Sequence, residues 1–376
     1  MCYTLIWVAP QKFIIAFVPL REVEGRKLFL LSQNKNKEDN MKTQSFNEIE
    51  NLTKEYSMIP ICKEIYADVI TPIQLLRKME AFDKNFFLLE SVEGGEKWAR
   101  YSFLGYEPVL HITCKNGKVT QKSGEIEHTV TVDPMDALRQ LLHKYKSLKI
   151  EGMPTFTGGF VGYFGYEMIG YAEPKLNIKD SEFDDYNLML FDKVIVYDHL
   201  KQKIMVIANM KSKDGIQGYN TALLEIEKMI ALINDQRKLP VVEADKDVKF
   251  KCNVTKEEYC RMIEKTKHYI KEGDIFQGVI SRRFVADYKS SLINAYRVLR
   301  TTNPSPYMYF IQSDDLQIAG ASPETMVKLV DGKLTTFPVA GTRPRGVNDE
   351  QDKTLEKELL ADEKELAEHN MLVDLA

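Results

Sequence analysis

Residues 187–210 read NLMLFDKVIVYDHLKQKIMVIANM. Leu, Ile, Val and Met dominate the run, the polar cluster Asp-His-Leu-Lys-Gln-Lys interrupts it, and the apolar pattern then resumes. Apolar and β-branched runs of this length, bounded by polar residues, predict two strands. The same signal recurs on both sides. FFLLES (86–91) predicts a buried strand running into the glycine turn of VEGGEKW, and ARYSFLGY predicts the next. Short alternating strands continue through VLHITCKNGKVTQKSGEIEHTVTV, where KNGK supplies a hairpin turn. Downstream, IFQGVISRRFVADY, YMYFIQ, LQIAGA and MVKLVDGKLTTFPVAG predict further strands, with DGK as a hairpin link.

Helices are interspersed. Residues 71–82 carry Pro72 near their start, and Asp133-Pro134 opens DPMDALRQLLHKYKS. A helix is predicted over about 219–235. TKEEYCRMIEKTKHYIKEGD (255–274) has a capping box from Thr255 to Glu258, an apolar stripe of Tyr259, Met262, Ile263 and Ile270, and a stop at Gly273. SLINAYRVLRTTN predicts another helix, and 349–375 one long acidic helix. Strands and helices alternate without a regular βαβ beat, so the expectation is an α+β chain with large sheets.

The chain has 376 residues, too many for one ordinary core. RKLPVVEADKDVKFK (237–251) is charged and contains a proline, which predicts a junction between regions 41–235 and 250–376. The net charge of −4 gives no reason to expect a nucleic-acid or membrane partner. Five scattered cysteines without a CxxC pair imply neither a disulfide framework nor a zinc site, and point to a reducing compartment. Cys260 reads as an ordinary helical residue. Residues 1–40 are apolar at first, broken by Pro10, Gln11 and Lys12, and then polar. They match neither a signal peptide, a transit peptide nor a membrane span. The expectation is that Met41 is the physiological start and that 1–40 stand outside the fold.

Several segments are candidates for chemistry. FTGGFVGYFGYEMIGY (156–171) is glycine-rich, but it lacks the Lys-Ser/Thr of a phosphate loop and the GxGxxG spacing, so it reads as a close-packed strand and turn. GDIFQ places Gln277 on a strand after a helix stop, and GASPE places Glu324 at a turn. AGTRPRG (340–346) offers the backbone amides of Gly341 and Thr342, which suit a carboxylate. Glu365, Glu368 and His369 share one helix face. Two carboxylates there suit Mg²⁺, which prefers oxygen ligands. The plainer alternative is a solvated acidic helix, with Arg343 and Arg345 in structural ion pairs. Spacing alone favours that alternative.

The motifs LLESVEGGEKWARYSFLG, GGFVGYFGYE, GDIFQGVISRRF, NPSPYMYF, GASPE, FPVAGTRPRG and ADEKELAEHNMLVDLA together resemble the chorismate-using enzymes. Within them the chain is most similar to the large subunits of anthranilate synthase, from about Met41 to Ala376. The resemblance implies a two-sheet antiparallel sandwich with outer helices. It implies a cytoplasmic lyase of tryptophan biosynthesis that converts chorismate and ammonia to anthranilate and pyruvate with Mg²⁺. Ammonia would come from a glutamine amidotransferase subunit, in a heterotetramer of two large and two small subunits.

Carried over by motif, Gly341 and Thr342 would bind chorismate, and Glu368 with neighbouring Glu365 would hold Mg²⁺. Gln277, Glu324 and Thr342 would be catalytic. Ser91, Pro306, Tyr307 and Met308 would line a feedback site for L-tryptophan. Ala340 and Gln277 separate chemistries. Aminodeoxychorismate synthases typically carry a nucleophilic Lys at the first position, in PIKGT, and isochorismate synthases a Lys base at the second. This chain has neither amine, which favours anthranilate synthase and ranks aminodeoxychorismate synthase low. Gly278 replaces the usual Val, at a cost of roughly a kcal/mol at most. The family pattern continues past MLVDLA with a His, a Tyr, an Arg, a glycine loop and a second Mg²⁺ glutamate. The resemblance therefore implies that the fold is incomplete at the C-terminus, that this chain is poorly soluble, and, as an alternative function, that it is a non-catalytic tryptophan- or glutaminase-binding module.

Overall fold

The computed structural model describes residues 45–91, 100–239, 245, 248–330 and 332–376, with the backbone of 4–7 and 13–19. Eighteen strands are described: β1 (Thr4–Trp7), β2 (Phe13–Pro19), β3 (Met58–Tyr66), β4 (Asn85–Glu90), β5 (Tyr101–Tyr106), β6 (Leu110–Lys115), β7 (Lys118–Ser123), β8 (Ile126–Thr131), β9 (Gly159–Gly165), β10 (Tyr186–Phe191), β11 (Lys193–Asp198), β12 (Lys203–Lys211), β13 (Lys251–Cys252), β14 (Phe284–Val285), β15 (Tyr307–Ser313), β16 (Leu316–Ser322), β17 (Thr325–Val330) and β18 (Lys333–Thr335). The described helices are α1 (Phe46–Ile49), α2 (Pro72–Glu80), α3 (Pro134–Lys144), α4 (Ile169–Ala172), α5 (Gly215–Asn234), α6 (Lys256–Glu272), α7 (Ile293–Thr302), α8 (Asp349–Ala361) and α9 (Glu363–Leu375).

Two large antiparallel sheets carry the fold. One has nine strands in the order β18-β17-β1-β2-β9-β10-β6-β7-β8, the other seven in the order β16-β15-β4-β5-β11-β12-β3. Their facing surfaces share one core. Val161 and Tyr163 of β9 and Met189 and Phe191 of β10 pack with Phe87 and Leu89 of β4, Val194 and Val196 of β11, and Tyr309 and Ile311 of β15. The seven-stranded sheet turns its other face, including Phe86, Leu88, Ile195 and Phe310, to α2, α5 and α7. Strand β4 is thus buried on both sides, which is why its sequence is continuously apolar rather than alternating. The other face of the nine-stranded sheet is covered by Ala137, Leu138 and Leu141 of α3.

The stretch 187–210 forms parts of three strands, not two. Phe191 pairs with Gly159 in the nine-stranded sheet, whereas Lys193 pairs with Ala208 in the seven-stranded one, so the chain crosses between sheets at Asp192. Asn209 holds that crossing: its backbone N–H and its side-chain amide both donate to the Asp192 carbonyl, at 2.7 and 2.9 Å. In the glycine-rich segment a Cβ on Gly162 would fall 2.0 Å from the Asn187 carbonyl oxygen, so the close-packed strand reading holds there.

Four other expectations are corrected. Strands β1 and β2 pair with each other, with β17 and with β9, so part of 1–40 lies within a sheet. Their apolar runs supply the backbone partners that those two edges need. Residues 275–288 form no long strand: only Phe284–Val285 pairs, with Lys251–Cys252, because the rest has no described neighbour to exchange hydrogen bonds with. Residues 336–341 likewise follow β18 without strand pairing. The acidic stretch 349–375 is two helices, since Asp362 adopts an extended conformation and caps the second. The junction at 237–251 divides the sequence without dividing the sheets, because β15 joins β4 through Met308 opposite Glu90.

Candidate functional site

The turn after β18 is the strongest candidate. Gly341 has φ +85°, and a Cβ there would sit 3.0 Å from Leu359 Cδ1 and 3.2 Å from Glu365 Oε2. Only glycine meets both conditions without strain. The amides of Gly341 and Thr342 make no hydrogen bond among the described residues, and Thr342 is exposed. Consecutive unspent N–H groups at such a turn can receive a carboxylate.

Arginines fix this turn against the last two helices. Arg343 Nη2 donates to Asp362 Oδ2 at 2.6 Å, and its Nη1 lies 3.6 Å from Glu365 Oε1. Arg345 Nη1 and the Gly346 amide reach the two oxygens of Asp352, at 2.7 and 2.9 Å. The Glu365 amide, and after it the Arg343 guanidinium, hold the Asp362 carboxyl below its ordinary range. Both arginines therefore serve the ion pairs that spacing alone favoured.

On α9, Glu365 is mostly covered, with 22% of its side chain exposed, and Glu368 and His369 are half-buried. Among the described residues no three His, Cys, Asp or Glu side chains cluster as a metal site. Two carboxylates still fit Mg²⁺ by donor chemistry, because that ion keeps several waters and takes substrate oxygens as further ligands. Gln277 is exposed in the loop after α6 rather than on a strand. Glu324 lies in the turn between β16 and β17, where its amide donates to Ser322 Oγ at 3.4 Å. The structure joins Gly341, Thr342 and Glu365, and leaves Gln277 and Glu324 in separate loops.

A second cluster surrounds Ser91. The register Met308↔Glu90 places Ser91 just beyond β4, beside the Pro306–Met308 stretch that starts β15. The Tyr307 hydroxyl meets Thr325 Oγ1, and Met308 is buried. Sequence reasoning missed Glu90. Its side chain is only 2% exposed and pairs with Arg300 through Nε and, at 2.9 Å, through Nη2. Tyr296 donates to it at 2.8 Å. A charged residue closing an apolar strand was the available signal. Nearby, Ser102 Oγ lies 2.7 Å from His199 Nε2, and burial pushes the His199 pKa down.

The match to known proteins settles the family. Residues 84–376 fit the family described as chorismate binding enzyme. The chain belongs to the chorismate-binding enzymes. Anthranilate synthase component 1 of Acetivibrio thermocellus is 40% identical over 342 residues, 88% of this chain and 69% of that protein. Its counterpart in Aquifex aeolicus is 40% identical over 349 residues, with the same shares. Among solved structures, anthranilate synthase component I from Streptococcus pneumoniae aligns with TM-score 0.63 and 32% identity, over 83% of this chain and 67% of that one. The menaquinone-specific isochorismate synthase of Escherichia coli, at 16% identity and TM-score 0.50, covers 87% of this chain and 66% of its own, and shares the fold alone. The two-sheet sandwich expected of a chorismate-binding enzyme is the architecture observed. No helix among the described residues is long and apolar enough to cross a membrane.

Proposed function

We propose that this chorismate-binding enzyme is the large subunit of an anthranilate synthase. Chorismate and ammonia would give anthranilate, pyruvate and water: ammonia adds to the ring, the ring hydroxyl leaves, and the enolpyruvyl group departs as pyruvate. The observation that carries this reading is the 40% identity, across 88% of the chain, to proteins named anthranilate synthase component 1. Ala340 and Gln277 agree with it, since neither offers an amine for a covalent adduct or for water activation.

The amides of Gly341 and Thr342 receive a substrate carboxylate, which holds the ring in one orientation. Glu324, in the turn between β16 and β17, would be a further catalytic residue. Glu368 and Glu365 would hold Mg²⁺, which when bound supplies Lewis-acid assistance to the departing oxygen. Gln277, exposed in its own loop, offers no amine that could act as a base. Ser91, Pro306, Tyr307 and Met308 form the L-tryptophan feedback site. A cytoplasmic glutamine amidotransferase partner supplies ammonia within a heterotetramer.

One observation favours a second reading, a binding module without catalysis. No residue of α6, α8 or α9 is buried, so these helices lack the packing that holds catalytic groups rigid. Anthranilate fluorescence from the purified chain with chorismate, Mg²⁺ and ammonium separates the two. A signal lost in Glu368→Ala supports the synthase. No signal from a folded chain supports the module.

A further inference from the structure

Two arginines tie the segment 341–346 to the last two helices, and they differ in what they reach. Arg345 pairs at 2.7 Å with Asp352, in the first turn of α8, a helix that carries none of the proposed site residues. Its side chain is 92% exposed, and an ion pair in water contributes little. The Gly346 amide holds the same carboxylate at 2.9 Å, so the segment stays on α8 without that pair. Arg343 is 27% exposed and reaches α9, where Glu365 and Glu368 lie.

The Arg343 guanidinium makes a continuous path from the turn to that helix. Its Nη1 donates to the Thr342 carbonyl at 2.9 Å, and its Nη2 to Asp362 Oδ2 at 2.6 Å. The other Asp362 oxygen accepts from the amides of Lys364 and Glu365, at 3.1 and 3.2 Å. Asp362 ends α8 and caps α9, so it passes the position of Arg343 to the first turn of α9. Glu365 bends back toward the same guanidinium, with Oε1 3.6 Å from Nη1. No residue of α9 is buried, so apolar packing does not set where this helix sits. Charge-assisted hydrogen bonds from a planar fork have the geometry to set it.

We infer that Arg343 is a positioning residue: it holds α9 against the 341–342 turn, so that a substrate carboxylate at those amides and Mg²⁺ at Glu365 and Glu368 bind cooperatively. A carboxylate on the amides orders the turn whose Thr342 carbonyl Arg343 grips, and the ordered guanidinium in turn fixes Asp362 and Glu365. By linkage each ligand then raises the affinity of the other by the same factor. This role rests on the synthase reading of the site, and adds to it a residue that touches neither ligand.

The test is calorimetric titration of chorismate into the full chain with and without Mg²⁺, read as the ratio of the two dissociation constants. The parent ratio should be at least ~5-fold, the lower end of usual couplings. Arg343→Met should bring it to about one, the value for uncoupled sites. Asp362→Asn keeps a capping side chain but loses the charge that Arg343 pairs with, and should do the same. Arg345→Met, which breaks only the exposed pair to α8, should keep the parent ratio. Thermal unfolding reports whether each variant is folded. If folded Arg343→Met or Asp362→Asn keeps the parent ratio, or if Arg345→Met loses it equally, Arg343 is not the positioning residue, and the site reading stands without it. If the folded parent shows no saturable binding, or no effect of Mg²⁺, the site reading itself fails and the role of Arg343 falls with it.

Discussion

A methyl group on Gly341 would lie 3.2 Å from the Oε2 atom of Glu365, so the proposed substrate-binding turn and the proposed metal helix meet at a glycine. The contact, together with φ +85°, makes this position the most sensitive in the candidate site. An L side chain in the left-handed region costs about 1–2 kcal/mol, and the clash adds displacement of the turn. Gly341→Ala should lower kcat/KM for chorismate at least ~10-fold, since misplacement by ~1 Å can cost 10²-fold. The melting temperature should fall by about 2–8 °C, too little to unfold the chain. Steady-state kinetics beside a melting curve check both.

The Glu90–Arg300 pair bears on stability. Arg300→Met would leave a carboxylate with 2% exposed side chain without its counter-charge. Removing one partner of a buried pair costs about 3–5 kcal/mol. At roughly 2–4 °C per kcal/mol for large domains, calorimetry should record a fall of about 10 °C. A change of one degree would mean that water already reaches Glu90.

His199 makes a pH dependence. Its folded pKa is depressed from 6.5 by burial, so the folded state prefers the neutral ring. The unfolded chain therefore binds more protons as pH drops. The stability tied to neutral His199 is fully present above 6.5 and is lost as pH falls through the folded value. Melting temperatures at pH 7.5 and 5.5 should diverge, and His199→Gln should narrow the gap. An equal gap in the variant would assign the effect to other groups.

Removal of Mg²⁺ tests α9. Chelation should weaken chorismate binding by the parent chain and leave Glu368→Gln unaffected. Glu365→Gln should retain part of the response, because Arg343 already draws on that carboxylate at 3.6 Å. Identical responses in all three chains would exclude these two glutamates as ligands.

Local chemistry was legible in the sequence. The Pro72 helix start, the capping box at Thr255, the αL stop at Gly273 and the positive-φ turn at Asn116-Gly117 all depend on neighbouring residues, and all are present. The buried strand at FFLLE was legible for the same reason. What depends on a distant partner was not. Nothing in 187–210 says that Phe191 and Lys193 belong to different sheets. Nothing in 275–288 reveals that most of it goes unpaired, nor in 1–40 that Phe13–Pro19 lies beside Gly159–Gly165. At the site, residue types pointed to Gly341 and Glu365 separately. Their contact, and Arg343 between them, needed the fold.

The central claim is that the 341–342 turn and α9 together bind chorismate. The most direct measurement is calorimetric titration of chorismate into the purified chain, with and without Mg²⁺. The account predicts saturable binding, tighter with Mg²⁺, and weakened at least tenfold in Gly341→Ala. Absence of saturable heat from a chain that melts cooperatively, or equal affinity in parent and variant, would contradict it.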